Sequence, residues 1–312
     1  MYRQAIVTGA AGFAGCNLVE ELLREGVEVW AVVRPGSPHN ERLQTASSRL
    51  HLAYLDLNQE NLADAFAAAL EKARLTKKGA ICYHLAWGGG RHDFSAQRRY
   101  ISMALAVLEA AVQLGCRRFV CTGSQAEYGP KREVITEETM PRPIDSYGAA
   151  KLAACVLTRE RAAELGIGWI WGRIFSLYGK YEPAERMLPD LVRTLAKGGT
   201  YQLSAATQNW DYLYSADGAK AIAALGARGK DGEIYNIANG DYHPLRVFTD
   251  KIRKELFPQG TLLYDEKVHP PFSLQPSVRK IYRDTGWMAE TSFLDGVKKG
   301  YAVNMYSGLP HP

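Results

Sequence analysis

Ala5-Ile6-Val7-Thr8-Gly9-Ala10-Ala11-Gly12-Phe13-Ala14-Gly15 is the stretch whose reading decides the fold. Its apolar start reads as a strand. Residues 13–24 then carry helical periodicity, with Leu18, Leu22 and Leu23 inward, and residues 27–33 form an apolar run of the kind seen in a strand buried on both faces. Strand, Gly-rich turn, helix and strand within about 30 residues make a βαβ unit. In that unit Gly9 permits the tight turn, Gly12 lets backbone approach a pyrophosphate, and Gly15 lets the helix pack on the strand. Phosphates then meet the helix N-terminus, whose free amides and dipole favour anions. The turn therefore predicts a dinucleotide cofactor.

The alternation continues. Strands are expected at 51–55, 80–86, 118–122 and 167–175, with helices at 62–73, 97–114 and 147–165. Such alternation predicts an α/β fold of Rossmann type, a doubly wound parallel sheet covered on both faces. Ligands of such sheets bind at the carboxyl ends of the strands. The glycine turn, Asp56, His84-Leu85-Ala86 and Ser124 all follow strand ends, so they converge on one crevice. After Phe175 the regularity weakens. Helices are expected at 185–196, 216–227, 278–284 and 291–301, strands at 201–203, 212–214 and 233–238, and a Pro-rich loop at His269-Pro270-Pro271. The division expected is a cofactor-binding domain over 1–175 and a smaller C-terminal α/β substrate lobe over 176–312, interleaved with the first.

The second strand ends in Ala31-Val32-Val33-Arg34-Pro35-Gly36-Ser37. An NAD site places a carboxylate there for the ribose 2′-hydroxyl. Here an arginine stands instead, and a guanidinium complements a 2′-phosphate. NADP(H) is therefore expected over NAD(H). Taken alone, Arg34 also reads as a solvated loop residue.

Tyr147-Gly148-Ala149-Ala150-Lys151 places a phenol and an ammonium one helical turn apart on the same face. The ammonium is expected to favour phenolate and bring the tyrosine pKa down from about 10. Hydride transfer at a C–O carbon needs such a group, because the oxygen gains or loses a proton as the carbon gains or loses hydride. Alone, Tyr147 reads also as a helix-surface tyrosine, and Ser124 as a strand-end cap.

Net charge is +5, with 38 basic residues scattered among 33 acidic ones and no basic stripe, so nucleic acid is not an expected partner. No apolar run approaches the roughly 20 residues of a membrane span, and residues 2–8 already read as a strand where a signal peptide would lie. Cys16, Cys82, Cys116, Cys121 and Cys155 form no CxxC and mostly sit in apolar segments, reading as buried reduced thiols of a cytoplasmic protein. No metal site is expected.

Taken together these motifs resemble the extended short-chain dehydrogenase/reductases, the group of NAD(P)-dependent nucleotide-sugar epimerases, dehydratases and ketoreductases. Thr8 to Gly15 resembles the TGxxGFxG turn, Asp56-Leu57 an adenine-contacting pair, and His84-Leu85-Ala86 the HxA strand end beside the cofactor ribose. Thr122-Gly123-Ser124-Gln125-Ala126-Glu127-Tyr128-Gly129 is similar to the serine strand end, and Tyr147 to Lys151 matches YxxxK. Arg173-Ile174-Phe175-Ser176-Leu177-Tyr178-Gly179, Trp210-Asp211-Tyr212 and Asp284-Thr285-Gly286-Trp287 match later landmarks. The resemblance implies Tyr147 as acid/base, Lys151 holding the ribose, and Ser124 hydrogen-bonding the reacting oxygen. It implies cofactor contacts from Gly9, Ala11, Gly12, Phe13, Ala14, Gly15, Arg34, Asp56, Leu57, Leu85, Ala86, Trp87 and Phe175. It also implies a homodimer in which helices 97–114 and 147–165 pair as a four-helix bundle. Alanines on both helices (Ala104, Ala106, Ala110, Ala111; Ala149, Ala150, Ala153, Ala154) permit that approach, and equally permit packing on the sheet.

The departures bear on the reaction. Dehydratases of this family carry an Asp-Glu pair directly after the serine or threonine, and here Gln125 and Ala126 stand there, so dehydration is not expected. Trp210 replaces a diphosphate-clamping arginine, Ser176 an asparagine, and residues 267–275 hold no arginine. Arg186, Arg193, Arg279 and Lys280 are the candidate substitutes; otherwise the substrate lacks a diphosphate. Gln125, Ser176, Arg186 and Trp210 are the expected substrate contacts. The reaction expected is NADP(H)-dependent reduction of a keto-sugar or sugar nucleotide, at C4. NAD-dependent nucleotide-sugar epimerisation is the alternative, and reduction of a non-sugar carbonyl a further one.

Overall fold

In the computed structural model, which describes residues 2–44, 47–75, 79–270 and 272–301, apolar runs become strands and amphipathic runs become helices much as their periods dictate. The first part of the chain runs β1 (Gln4–Thr8), α1 (Phe13–Arg24), β2 (Glu28–Val33), β3 (Leu50–Tyr54), α2 (Leu62–Lys72), β4 (Ile81–His84), α3 (Phe94–Gln113), β5 (Arg118–Ser124), α4 (Ser146–Leu165) and β6 (Gly168–Ile174). It continues as β7 (Ser176–Tyr178), α5 (Met187–Ala196), β8 (Thr200–Ser204), β9 (Asn209–Trp210), β10 (Tyr212–Tyr214), α6 (Ser215–Arg228) and β11 (Glu233–Ile237). The last elements are β12 (His243–Pro244), α7 (Leu245–Leu256), β13 (Thr261–Asp265), α8 (Arg279–Thr285) and α9 (Phe293–Gly300).

Seven strands make one parallel sheet in the order β11-β6-β5-β4-β1-β2-β3. The order reverses between β1 and β4, so a crevice opens where their carboxyl ends part, the usual ligand position of such sheets. On one face α1 and α6 bury Leu18, Leu22, Ile222 and Leu225 against the strands. On the other, α2, α3 and α4 bury Phe66, Leu70, Val107, Leu108 and Ala154. Ala104, Ala110, Ala111 and Ala154 are thus wholly inside the chain's own core. Of the other four alanines considered, Ala150 is buried, Ala106 and Ala153 are half-buried and Ala149 is exposed.

A further core gathers Leu188, Leu191 and Leu195 of α5, Phe248 and Ile252 of α7 and Val297 of α9 around Tyr178. It sits over the carboxyl ends of the sheet and supplies the far wall of the crevice. Here the structure corrects the sequence reading, which assigns no element between 238 and the Pro-rich loop. Helix α7 buries Leu245, Phe248, Thr249 and Ile252, a clear helical stripe, while β13 pairs in parallel with β8. Pro271 of the expected loop lies outside the described residues. Among the described residues no helix is long and apolar enough to cross a membrane, no group of side chains is arranged to hold a metal, and all five cysteines are buried and unpaired.

Candidate active site

The Gly-rich turn passes so close to its neighbours that side chains have no room. A Cβ on Gly9, whose φ is +66°, would lie 2.7 Å from the amide nitrogen of Ala86, and one on Gly15 would lie 2.0 Å from the carbonyl oxygen of Gly9. Gly12 caps α1 with no side chain, leaving the first-turn amides free. This bare cradle fits the pyrophosphate of a dinucleotide. It opens onto two joined cavities, of about 700 Å³ and about 460 Å³, that share Gly9, Gly12, Leu85 and Trp87.

The larger cavity takes in Phe13, Ala14, Gly15, Ser124, Gln125, Tyr147, Lys151, Phe175, Ser176, Arg186 and Trp210. The smaller one takes in Ala11, Arg34, Asp56, Leu57 and Ala86. The catalytic, cofactor and substrate contacts expected from the sequence therefore line these two adjoining cavities. Of the four basic residues considered as substitutes for a substrate clamp, Arg186 lines it. Arg193 is tied to Asp190, Lys280 pairs with Glu233 at 2.6 Å, and Arg279 borders a different cleft.

Ser124 ends β5, in register with Ile174 of β6. Its hydroxyl accepts the amide of Ala126 at 3.2 Å, and its own amide donates to Oε1 of Glu127 at 2.8 Å. Behind it Glu127 is wholly buried. It also receives the Trp171 indole at 3.0 Å and the Arg173 guanidinium at 2.7 Å, and Arg173 lies 4.5 Å over the Tyr128 ring. The motifs containing Glu127 and Arg173 stand out in the sequence, but nothing in either predicts that they pair. The serine thus rests on a buried ionic platform.

Lys151 lies on the same face of α4 as Tyr147, but its ammonium turns inward. Nζ donates to the Thr122 carbonyl at 2.7 Å and sits 3.8 Å from the centre of the Trp87 ring. Burial holds its pKa down at about 8, with Cys121 and Glu127 opposing. Tyr147 differs from the sequence expectation. Burial raises its pKa, and the groups pressing it back down are the Ser124 hydroxyl and the guanidinium groups of Arg91 and Arg186. The Lys151 ammonium is turned to the Thr122 carbonyl and the Trp87 ring, and burial outweighs the groups that favour phenolate. His84, behind the cofactor-facing strand end, bonds Thr8 through Nδ1 at 2.8 Å and is held neutral by burial, its pKa down at about 3.

Arg91, Glu182 and Met187 also line the crevice, and no motif points to them. They reach it by folding, Arg91 from the loop after β4, Glu182 from the segment between β7 and α5, and Met187 from the start of α5.

With the geometry in place, comparison supplies the family. The model of the NAD dependent epimerase/dehydratase family matches residues 5–238. The chain belongs to that family. It is a nicotinamide-dependent enzyme of the extended short-chain dehydrogenase type. A UDP-glucose 4-epimerase of Streptomyces lividans is 25% identical over 305 residues, covering 90% of each chain. The solved structure of MoeE5 in complex with UDP-glucose and NAD is 27% identical with a TM-score of 0.77, covering 97% of this chain and 99% of that one. The dTDP-glucose 4,6-dehydratase DesIV of Streptomyces venezuelae, solved with NAD bound, is 25% identical with a TM-score of 0.79 over 97% of both chains.

Proposed function

We propose that this family member interconverts epimers of a nucleotide-linked hexose at C4 by transient oxidation. The observation that carries the reading is the composition of one crevice wall. Ser124, Tyr147 and Lys151 line the same cavity as the glycine turn, while Gln125 and Ala126 occupy the positions where water elimination would need an acid and a base. The bound nicotinamide supplies hydride acceptance and return at the sugar carbon. The chain's residues handle the proton. Tyr147, in the phenolate form that the Ser124 hydroxyl and the Arg91 and Arg186 guanidinium groups favour against burial, would take the proton of the C4 hydroxyl as the C–H electron pair leaves as hydride, and would give it back when the carbonyl is reduced. Ser124, fixed by the Ala126 amide, donates its hydroxyl hydrogen to the developing carbonyl oxygen. Lys151 holds the ribose, and Gln125, Ser176, Arg186 and Trp210 hold the sugar and its nucleotide. The kinship with UDP-glucose 4-epimerases supports this choice among the reactions of the fold.

One observation favours a second reading. Arg34 stands at the end of β2 beside Ser37 and His39 in the outer cavity, a set suited to a 2′-phosphate and so to NADPH-driven reduction of a keto-sugar. A homodimer through the outer faces of α3 and α4 accompanies either reading; it would cover the exposed Val156 and Leu157.

The deciding experiment gives the purified chain UDP-glucose with no added cofactor and follows UDP-galactose, with the protein-bound dinucleotide identified after denaturation. Epimer formed with bound NAD supports the proposal. No epimer, together with NADPH consumed on a 4-keto nucleotide sugar, replaces it with the reductase.

A further inference from the structure

Tyr147 is held by Arg91 as well as by its own helix. Arg91, in the loop after the glycine triplet 88–90, accepts the Tyr147 amide at its carbonyl oxygen, 2.9 Å away. Its guanidinium lies 5.1 Å from the centre of the Tyr147 ring. Two of its nitrogens, Nε at 2.9 Å and Nη2 at 2.7 Å, donate to Oδ2 of Asp145. The other oxygen of that carboxylate caps α4 by accepting the Gly148 amide at 2.7 Å. Asp145 is buried and Arg91 half-exposed to the crevice. One arginine therefore ties the loop to the helix start, pins the backbone at the tyrosine and stands over its ring.

We infer that Arg91 is a positioning residue for Tyr147, its guanidinium held over the ring by Asp145 and adding to the positive charge that Arg186 also brings to the phenol. The other groups facing that phenol are accounted for. Lys151 on the same helix is bound to Thr122 and Trp87. Glu127, beyond Ser124, is neutralised by Arg173. Arg186, from the segment before α5, lies against Glu182 at 3.8 Å and over the Phe13 ring. His84 carries no charge. A guanidinium on an aromatic face, held in a planar fork by a carboxylate, is also well placed to keep the ring from rotating out of the crevice.

The inference rests on the reading of Tyr147 as the proton-transfer group, yet its test needs neither substrate nor cofactor. The fraction of Tyr147 ionised at a fixed alkaline pH is read as the phenolate absorbance that Tyr147→Phe removes, in the full chain and in Arg91→Gln, Arg91→Met and Arg91→Lys. The two neutral variants are made in parallel so that one folded variant, checked by circular dichroism, suffices. The expected result is a fall of about threefold in the phenolate fraction in the neutral variants, the size of a cation lost from a ring face, with recovery in Arg91→Lys. An unchanged fraction in a folded neutral variant overturns the inference. Failure of the epimerase reading would leave this result untouched, because the phenolate fraction is read without turnover.

Discussion

The two ends of the crevice are built on opposite plans. At the inner end, behind Ser124, Glu127 and Arg173 are almost wholly out of solvent, and Lys151 lies beside them with its ammonium on a backbone carbonyl. At the outer end, Arg34 is exposed on a turn held by short local bonds, Ser37 amide to Arg34 carbonyl at 3.3 Å and Asn40 amide to Ser37 carbonyl at 3.1 Å. The inner end places charges where water cannot relax around them, so each depends on its partners. The outer end meets its ligand with a side chain that water already solvates. The proposed chemistry falls at the first and the choice between cofactors at the second. The difference implies that changes at the inner end move stability strongly, down or up, whereas the cofactor can be exchanged with little effect on the fold.

The sharpest way to break this contrast is Glu127→Ala. Removing the carboxylate leaves the Arg173 guanidinium, the Trp171 indole and the Ser124 amide without an acceptor in a dry site. Losing one partner of a buried ion pair costs about 3–5 kcal/mol, so the urea midpoint is expected to fall by that equivalent. A midpoint within experimental error of the parent would mean that the platform contributes nothing to stability, and that the inner end is no more demanding than the outer.

Lys151→Met probes the same region with the opposite sign. The lysine's pKa is about 8 in the folded chain against an ordinary 10.5. Below pH 8 both folded and unfolded states hold the proton, and the fold carries the full burden of a buried ammonium. Between pH 8 and 10.5 the folded state sheds the proton while the unfolded state keeps it, so this group's contribution to stability improves as pH rises. Methionine removes the burden at every pH. The variant is expected to be more stable than its parent by about 3 kcal/mol at pH 7, with the margin closing by pH 10.5. Paired urea titrations at the two pH values read the margin directly. Equal stabilities at pH 7 would show that Thr122 and Trp87 fully offset the burial.

The same division explains what the sequence could disclose. The glycine turn is legible because a backbone packed against backbone tolerates one residue type, so Gly9 and Gly15 announce their geometry locally. The Tyr147–Lys151 spacing is legible because both lie on one helix, although the direction in which the lysine points is not. That direction depends on the Thr122 carbonyl and the Trp87 ring, 29 and 64 residues away in sequence. Arg91 and Asp145 are separated by 54 residues, and neither carries a local sign of the other. The far wall is the least readable, since its parts are short pieces joined by packing and by strand pairs between segments far apart in sequence. Yet α7 needed no tertiary information: Leu245, Phe248, Thr249 and Ile252 already trace a helical stripe.

Arg34→Ala carries the smallest expected effect and bears most directly on the outer end. An exposed side chain outside any buried network changes stability by no more than about 0.5 kcal/mol, so the urea midpoint should stay put. Its effect is expected in cofactor choice alone. If the guanidinium meets a 2′-phosphate, the parent binds NADPH about tenfold tighter than NADH, and alanine removes that margin of about 1.4 kcal/mol. Fluorescence titration of both dinucleotides on both proteins measures it. Should NADH bind the parent as well as NADPH does, Arg34 is a solvated bystander, and the 2′-phosphate argument for net reduction falls with it. Should the margin exist and vanish while stability holds, cofactor choice has been moved without disturbing the platform under Ser124, and the two ends of the crevice are energetically independent.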